Sequence, residues 1–198
     1  GYDAKLDVPK ELTQGVSSKT LAKDADIVIL MLPNGEISKS VAFDILPVMQ
    51  KGSVLIDCST IDVASAKKIN QIADENLIHF LDAPVSGGVV GANSGSLTFM
   101  VGGKEDIYIK IAHLFNIMGQ KSVFCGAAGN GQSAKICNNM ILGVTMIATC
   151  EAFSLADNLG LDRQAMYDVV STSSGSSWSM NTYCPAKGIG PQSPSDND

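Results

Sequence analysis

The sequence predicts an α/β fold, a doubly wound and mostly parallel sheet with helices on both faces, running directly into the start of an all-α domain. Three observations predict it. Short apolar, β-branched runs alternate with helical stretches over the first two-thirds of the chain. Strand signals stop at Gly126. The segment from Gln132 to Asn158 then reads as one long helix, hydrophobic nearly all round. Alternation of this kind favours parallel pairing, because parallel neighbours need a crossover connection and a helix supplies it. The expected division is 1–126 for the α/β domain and 127–198 for the helical one.

Element by element, ADIVILML (25–32) is a buried strand closed by Pro33-Asn34-Gly35. A helix follows from Ile37 to Met49, with a break expected at Pro47. SVLIDCS (53–59) is the next strand, and Ala64 to Glu75 the next helix. IHFLDAP (78–84) and SLTFMVGG (96–103) are strands joined by a glycine-rich connection. KEDIYIKIAHLFNIMG places Ile107, Ile111, Leu114, Phe115 and Met118 on one helical stripe. SVFCG (122–126) is the last strand. After the long helix comes a second, Arg163 to Ser171, then SSGSSWS (173–179), which reads as a flexible connection in which Trp178 has little claim to a pocket. The Pro/Ser/Asn ending, GIGPQSPSDND, reads as a disordered end or a cut through a loop.

Composition narrows the function classes. A chain of 198 residues, 45% hydrophobic, can bury a core of one or two domains. Its net charge of −6 argues against a nucleic-acid surface or an anionic membrane partner. Five scattered cysteines without a CxxC pair read as reduced thiols, and His79 and His113 lack ligand-spaced neighbours, so no metal is expected. The uncharged run after Lys135 carries two Asn and two Thr and reads as too short and too polar to span a bilayer, so the protein is expected to be soluble.

Two stretches carry the chemistry. GNGQSA (129–134) matches the dinucleotide fingerprint G-x-G-x-x-G/A, but no second strand with an acidic end follows about 20 residues on, so it is rejected as the pyrophosphate loop. Its glycines are expected to allow a tight turn and to leave the helix N-terminus open to a ligand. Lys135 opens the apolar helix, with Asn139 one turn later on the same face and Asn138 beside it. Lys135 is either an ordinary surface lysine or a proton-handling one. Burial and the positive helix terminus would both lower its pKa, as a general acid or base near neutral pH needs. In DAPVSGGVVGANSGSLTFMVGG (82–103), Ser86-Gly87-Gly88 offers a hydroxyl and close backbone amides suited to a carboxylate, or it is simply a glycine-rich turn. Asp57-Cys58-Ser59-Thr60 and Met31-Leu32-Pro33 sit at strand ends where a cofactor could lie, though in most proteins each would be a mere turn.

Taken together, MLP (31–33), IDCSTID (56–62), DAPVSGG (82–88), SGSLTFMVGG (94–103) and GNGQSAKICNNM (129–140) resemble the 3-hydroxyisobutyrate dehydrogenase family. That family belongs to the β-hydroxyacid dehydrogenases, which include 6-phosphogluconate dehydrogenase. The resemblance covers nearly the whole chain and implies a partial Rossmann-like domain followed by part of a helical one. It implies NAD-dependent oxidation of 3-hydroxyisobutyrate to methylmalonate semialdehyde, a step of valine catabolism, with Lys135 transferring the proton and Asn139 orienting hydroxyl or lysine. Ser86, Gly87 and Gly88 would bind the substrate carboxylate, and Leu32, Pro33 and Thr60 would lie along the cofactor. Tyr2-Asp3 would end a strand with Asp3 at the adenosine ribose. With no arginine following to take a 2′-phosphate, NAD is favoured over NADP. The resemblance further implies a homodimer or homotetramer, in bacterial cytoplasm or mitochondrial matrix. The family's glycine-rich pyrophosphate loop and the rest of its helical domain, with a second lysine near the cofactor, have no counterpart here, so a longer natural protein is expected. Rival readings are a tartronate or succinic semialdehyde reductase, and a non-catalytic oligomerising module of the same fold.

Overall fold

Alternate side chains of the central strands feed two separate cores, and this builds the sheet. The structure is a computed structural model that describes residues 1–190. The Pro/Ser/Asn tail from 191 onward lies outside the described residues. The strands are β1 (Ile27–Leu30), β2 (Val54–Asp57) and β3 (His79–Asp82), all parallel, then β4 (Val85–Ser86), β5 (Leu97–Gly103) and β6 (Gly119–Gly126). Leu30, Leu55 and Phe80 point into a core under α1 (Ser18–Ala22), α2 (Gly35–Ile45) and α3 (Val63–Glu75). Ile56, Leu81 and Val101 point the other way, onto Ile107, Ile111 and Phe115 of α5 (Glu105–Met118). The period-two alternation of a strand makes this two-sided burial automatic.

The parallel expectation holds for β1–β3 and for β5 with β6, but β5 runs antiparallel to both β3 and β4. The cause lies in the connection. Its only helix, α4 (Gly88–Asn93), has six residues, too few for a crossover. Leu81, Asp82, Val85 and Ser86 therefore pair with Gly103, Gly102, Phe99 and Thr98 in one continuous register. Pro84, which has no N–H to donate, interrupts the ladder yet still accepts from Met100 N at 3.0 Å. The predicted break at Pro47 is a three-residue 3₁₀ turn, Leu46–Val48.

Tyr2 and Asp3 do not end a strand. Gly15 N donates to Gly1 O at 2.8 Å, joining the two ends of this segment. Asp3 instead caps a turn, its Oδ1 accepting from Lys5 N at 2.7 Å and Leu6 N at 2.9 Å.

By compactness the chain divides into two units, Gly1–Lys135 and Ile136–Asp198, a division that falls inside the long helix α6 (Asn130–Asn158). The first turn of α6 is hydrogen-bonded to the sheet, which ties it to the first unit. In the second unit Phe153 and Ala156 of α6 pack with Met166 of α7 (Arg163–Val170), Met180 of α8 (Trp178–Asn181) and Cys184. The expected flexible stretch ends in α8, capped by Ser177, and Trp178 stacks on Tyr183 with ring centroids 5.4 Å apart. Ile136, Met140, Ile141, Val144 and Ile147 of α6 are all exposed in the single chain. Contrary to the sequence reading, its 29 residues are long and apolar enough to cross a bilayer by length and composition, because scattered Asn and Thr cost far less than charges.

Candidate functional site

The carboxyl ends of β2 and β3 set Asp57 and Asp82 side by side, both fully buried. Burial pushes each carboxyl above the usual carboxylate range. Asp82 is the better satisfied. Its Oδ1 accepts from Gly129 N at 2.7 Å and its Oδ2 from Gln132 N at 2.9 Å, so one carboxylate caps the positive end of α6. The glycine turn was expected to leave this helix terminus open to a ligand; the protein's own carboxylate fills it instead. Gly131 makes the approach possible, since a Cβ there would lie 2.6 Å from Asp82 O and collide with Met100 O as well.

Gln132 is buried as completely as the two aspartates. Its Oε1 accepts from Ile61 N at 3.0 Å and its Nε2 donates to Ser59 O at 2.8 Å. The Ser59 hydroxyl in turn accepts from Leu32 N at 2.8 Å and lies 3.3 Å from Ser38 Oγ. This cluster gathers the loops after β1 and β2 onto the start of α6. Leu32, Pro33 and Thr60 are thereby brought together around Ser59, with Pro33 and Thr60 facing solvent. These exposed loops at the carboxyl ends of parallel strands fit an extended cofactor lying across them.

Lys135 follows Gln132 by three positions on α6 and is half-buried, with no hydrogen bond or ion pair among the described residues. Burial holds its pKa below the usual lysine value. Asn139, one turn further along, is exposed and its Oδ1 takes a 3.3 Å hydrogen bond from Asn138. Ser86 sits on the β4 ladder beyond Pro84, and Gly87 and Gly88 have φ of 132° and 59°, where a side chain would be strained. Among the described residues no hydrogen bond links Ser86–Gly88 to the Ser59–Gln132 cluster. Asp3 stays apart in its own turn, its pKa held down by the Lys5 and Leu6 amides.

Sequence reasoning missed the two residues that assemble this corner. Asp82 and Gln132 are not among the candidate residues read from the sequence. The available signal was an amide side chain inside a glycine-and-alanine turn, one helical turn before the lysine.

A cleft of about 290 Å³ in the first unit is lined by Ile29, Met31, Cys58, Val85 and Phe99, among others. The Cys58 thiol on it is pushed by burial to about 12 and is inert as a nucleophile.

Residues 5–126 match the family model for the NAD binding domain of 6-phosphogluconate dehydrogenase. Residues 129–193 match that for the NAD-binding region of NADP-dependent 3-hydroxyisobutyrate dehydrogenase. The human mitochondrial 3-hydroxyisobutyrate dehydrogenase is 46% identical over 205 aligned positions, spanning all of this chain and 61% of that protein. The solved Mycobacterium tuberculosis 3-hydroxyisobutyrate dehydrogenase with L-serine superposes with a TM-score of 0.89 at 43% identity, over 93% of this chain and 64% of that one. A Salmonella typhimurium 3-hydroxyisobutyrate dehydrogenase structure gives a TM-score of 0.73 at 30% identity, over 84% and 59%. The chain thus spans about 60% of the length of the relatives it matches.

Proposed function

The chain belongs to the 3-hydroxyisobutyrate dehydrogenase family, and from that premise we propose that the whole protein oxidises 3-hydroxyisobutyrate to its semialdehyde with a nicotinamide cofactor. The observation that carries this reading is Lys135: a half-buried lysine with a lowered pKa, on the helix whose start is fixed to the sheet edge by Asp82. Oxidation of a secondary or primary alcohol needs a group that takes the hydroxyl proton as carbon gives up hydride. A lysine whose pKa is lowered by burial releases its proton more readily than an ordinary one, which suits it to that exchange. The cofactor, when bound, supplies the hydride acceptor. Leu32, Pro33 and Thr60 hold it along the strand ends, Ser86-Gly87-Gly88 takes the substrate carboxylate, and Asn139 orients the hydroxyl. The L-serine named with the mycobacterial relative is itself a 3-hydroxy acid, which fits a site reading both groups. No arginine stands in the residues after Asp3 to take a 2′-phosphate, which favours NAD over NADP. A homodimer or homotetramer covers the exposed face of α6.

The test is Lys135→Ala in the whole protein. The expected result is a fall in kcat of roughly 10²–10⁴ with cofactor affinity nearly unchanged. Lys135→Arg fares almost as badly, because guanidinium keeps its proton at any working pH. Retention of more than about a tenth of the parent kcat removes Lys135 from the chemistry.

A further inference from the structure

Gln132 is a fully buried amide whose hydrogen bonds all run out of its own helix. Its two side-chain partners, Ser59 O and Ile61 N, flank Thr60 on either side. They lie 73 and 71 residues away in sequence. Its backbone N–H is held by Asp82. Through Ser59, whose hydroxyl takes the Leu32 amide, the same side chain also steadies the loop that carries Leu32 and Pro33. Lys135 is the next residue on its helical face.

We propose that Gln132 is a positioning residue that sets the distance between the loop along the cofactor and the lysine that moves the proton; this rests on the reading of Lys135 as general base. A buried amide is a costly way to fill space, since an apolar side chain of equal bulk needs no partners. What the amide adds is direction: one acceptor and one donor fix both sides of Thr60 against a helix that is itself fixed by Asp82. Proton and hydride leave adjacent atoms of one substrate, so the two groups that receive them must keep a constant separation. A misplacement of about 1 Å in such a geometry can cost about 10²-fold in rate.

The experiment uses the whole protein with 3-hydroxyisobutyrate and whichever of NAD or NADP it turns over faster. Gln132→Met keeps the length and removes both hydrogen bonds. The expected result is a kcat lowered at least about tenfold, a cofactor dissociation constant within about threefold of the parent, and a larger deuterium isotope effect on hydride loss. In a Lys135→Ala background the same substitution should cost less than about a further threefold, because the amine it positions is gone. Equal losses in both backgrounds, or an unchanged kcat in the single variant, overturn the proposal. Should Gln132→Met fail to fold, Gln132→Glu keeps the acceptor for Ile61 N, loses the donor to Ser59 O, and is judged by the same two comparisons. If Lys135→Ala alone stays active, the base reading fails and takes this inference with it. Additive losses around an essential Lys135 sink the inference alone.

Discussion

Asp57 ends β2 with Oδ1 accepting the Ser59 amide at 2.9 Å and Oδ2 buried without a hydrogen bond. The Ser38 and Ser59 hydroxyls nearby favour the ionised form, but burial outweighs them and lifts the pKa above its usual 3.8. The native state therefore keeps this proton to higher pH than the unfolded chain does. Its contribution to stability is whole below the unfolded value and is lost as pH rises through the raised one. Asp57→Asn, which does not titrate, should accordingly gain on the parent as pH climbs above about 4, by at most about 1.4 kcal/mol per pH unit. Denaturant unfolding across a pH series checks this; a gap that shrinks with rising pH means that the carboxylate is held charged by its surroundings. Single residues were only partly legible in the sequence. Lys135 stood out because a cation beside an apolar run is locally odd. The clamping roles of Asp82 and Gln132 depend on partners 47 to 73 residues away, and nothing in their neighbours announces them.

At the level of elements, the docking of α6 hangs on one missing side chain. A Cβ on Gly131 would press on two backbone carbonyls, Met100 O and Asp82 O, neither of which can swing aside. Gly131→Ala should destabilise by about 1–3 kcal/mol and lower kcat as well, because the helix start must back away from the sheet with Lys135 on it. Thermal unfolding with steady-state kinetics reads both; a variant with the parent's stability and rate would mean that the contact is slack. The long elements were readable from periodicity alone: α3, α5 and α6 begin and end within about two residues of their sequence boundaries. The short ones were not. β4 and α4 lie in a run of glycine and small residues with no period, and their order comes from pairing with β5. The reversal of β5 followed from the same blind spot, since only a six-residue helix separates it from β4.

For the molecule as a whole, the stripe Ile136, Met140, Val144 and Ile147 leaves one face of α6 apolar and in solvent. From the sequence such a helix belongs inside a core or an interface, because periodicity reports which residues want cover and not what provides it. A second copy of the chain is the proposed cover. The 198-residue chain should sediment above its monomer mass at micromolar concentration, and Val144→Lys with Ile147→Lys should move it toward monomer. A parent that sediments as a monomer, or a double variant that sediments unchanged, counts against that face. The Asp82 clamp has one more consequence, in the order of assembly. On a ribosome the carboxylate emerges 47 residues before the first amide that caps it, several seconds earlier at ~5–20 residues per second. Through that interval the carboxylate lacks the two backbone amides that cap it in the fold. The corner around Asp82 can close only once the first turn of α6 has been made, and Lys135 lies on that same stretch of helix.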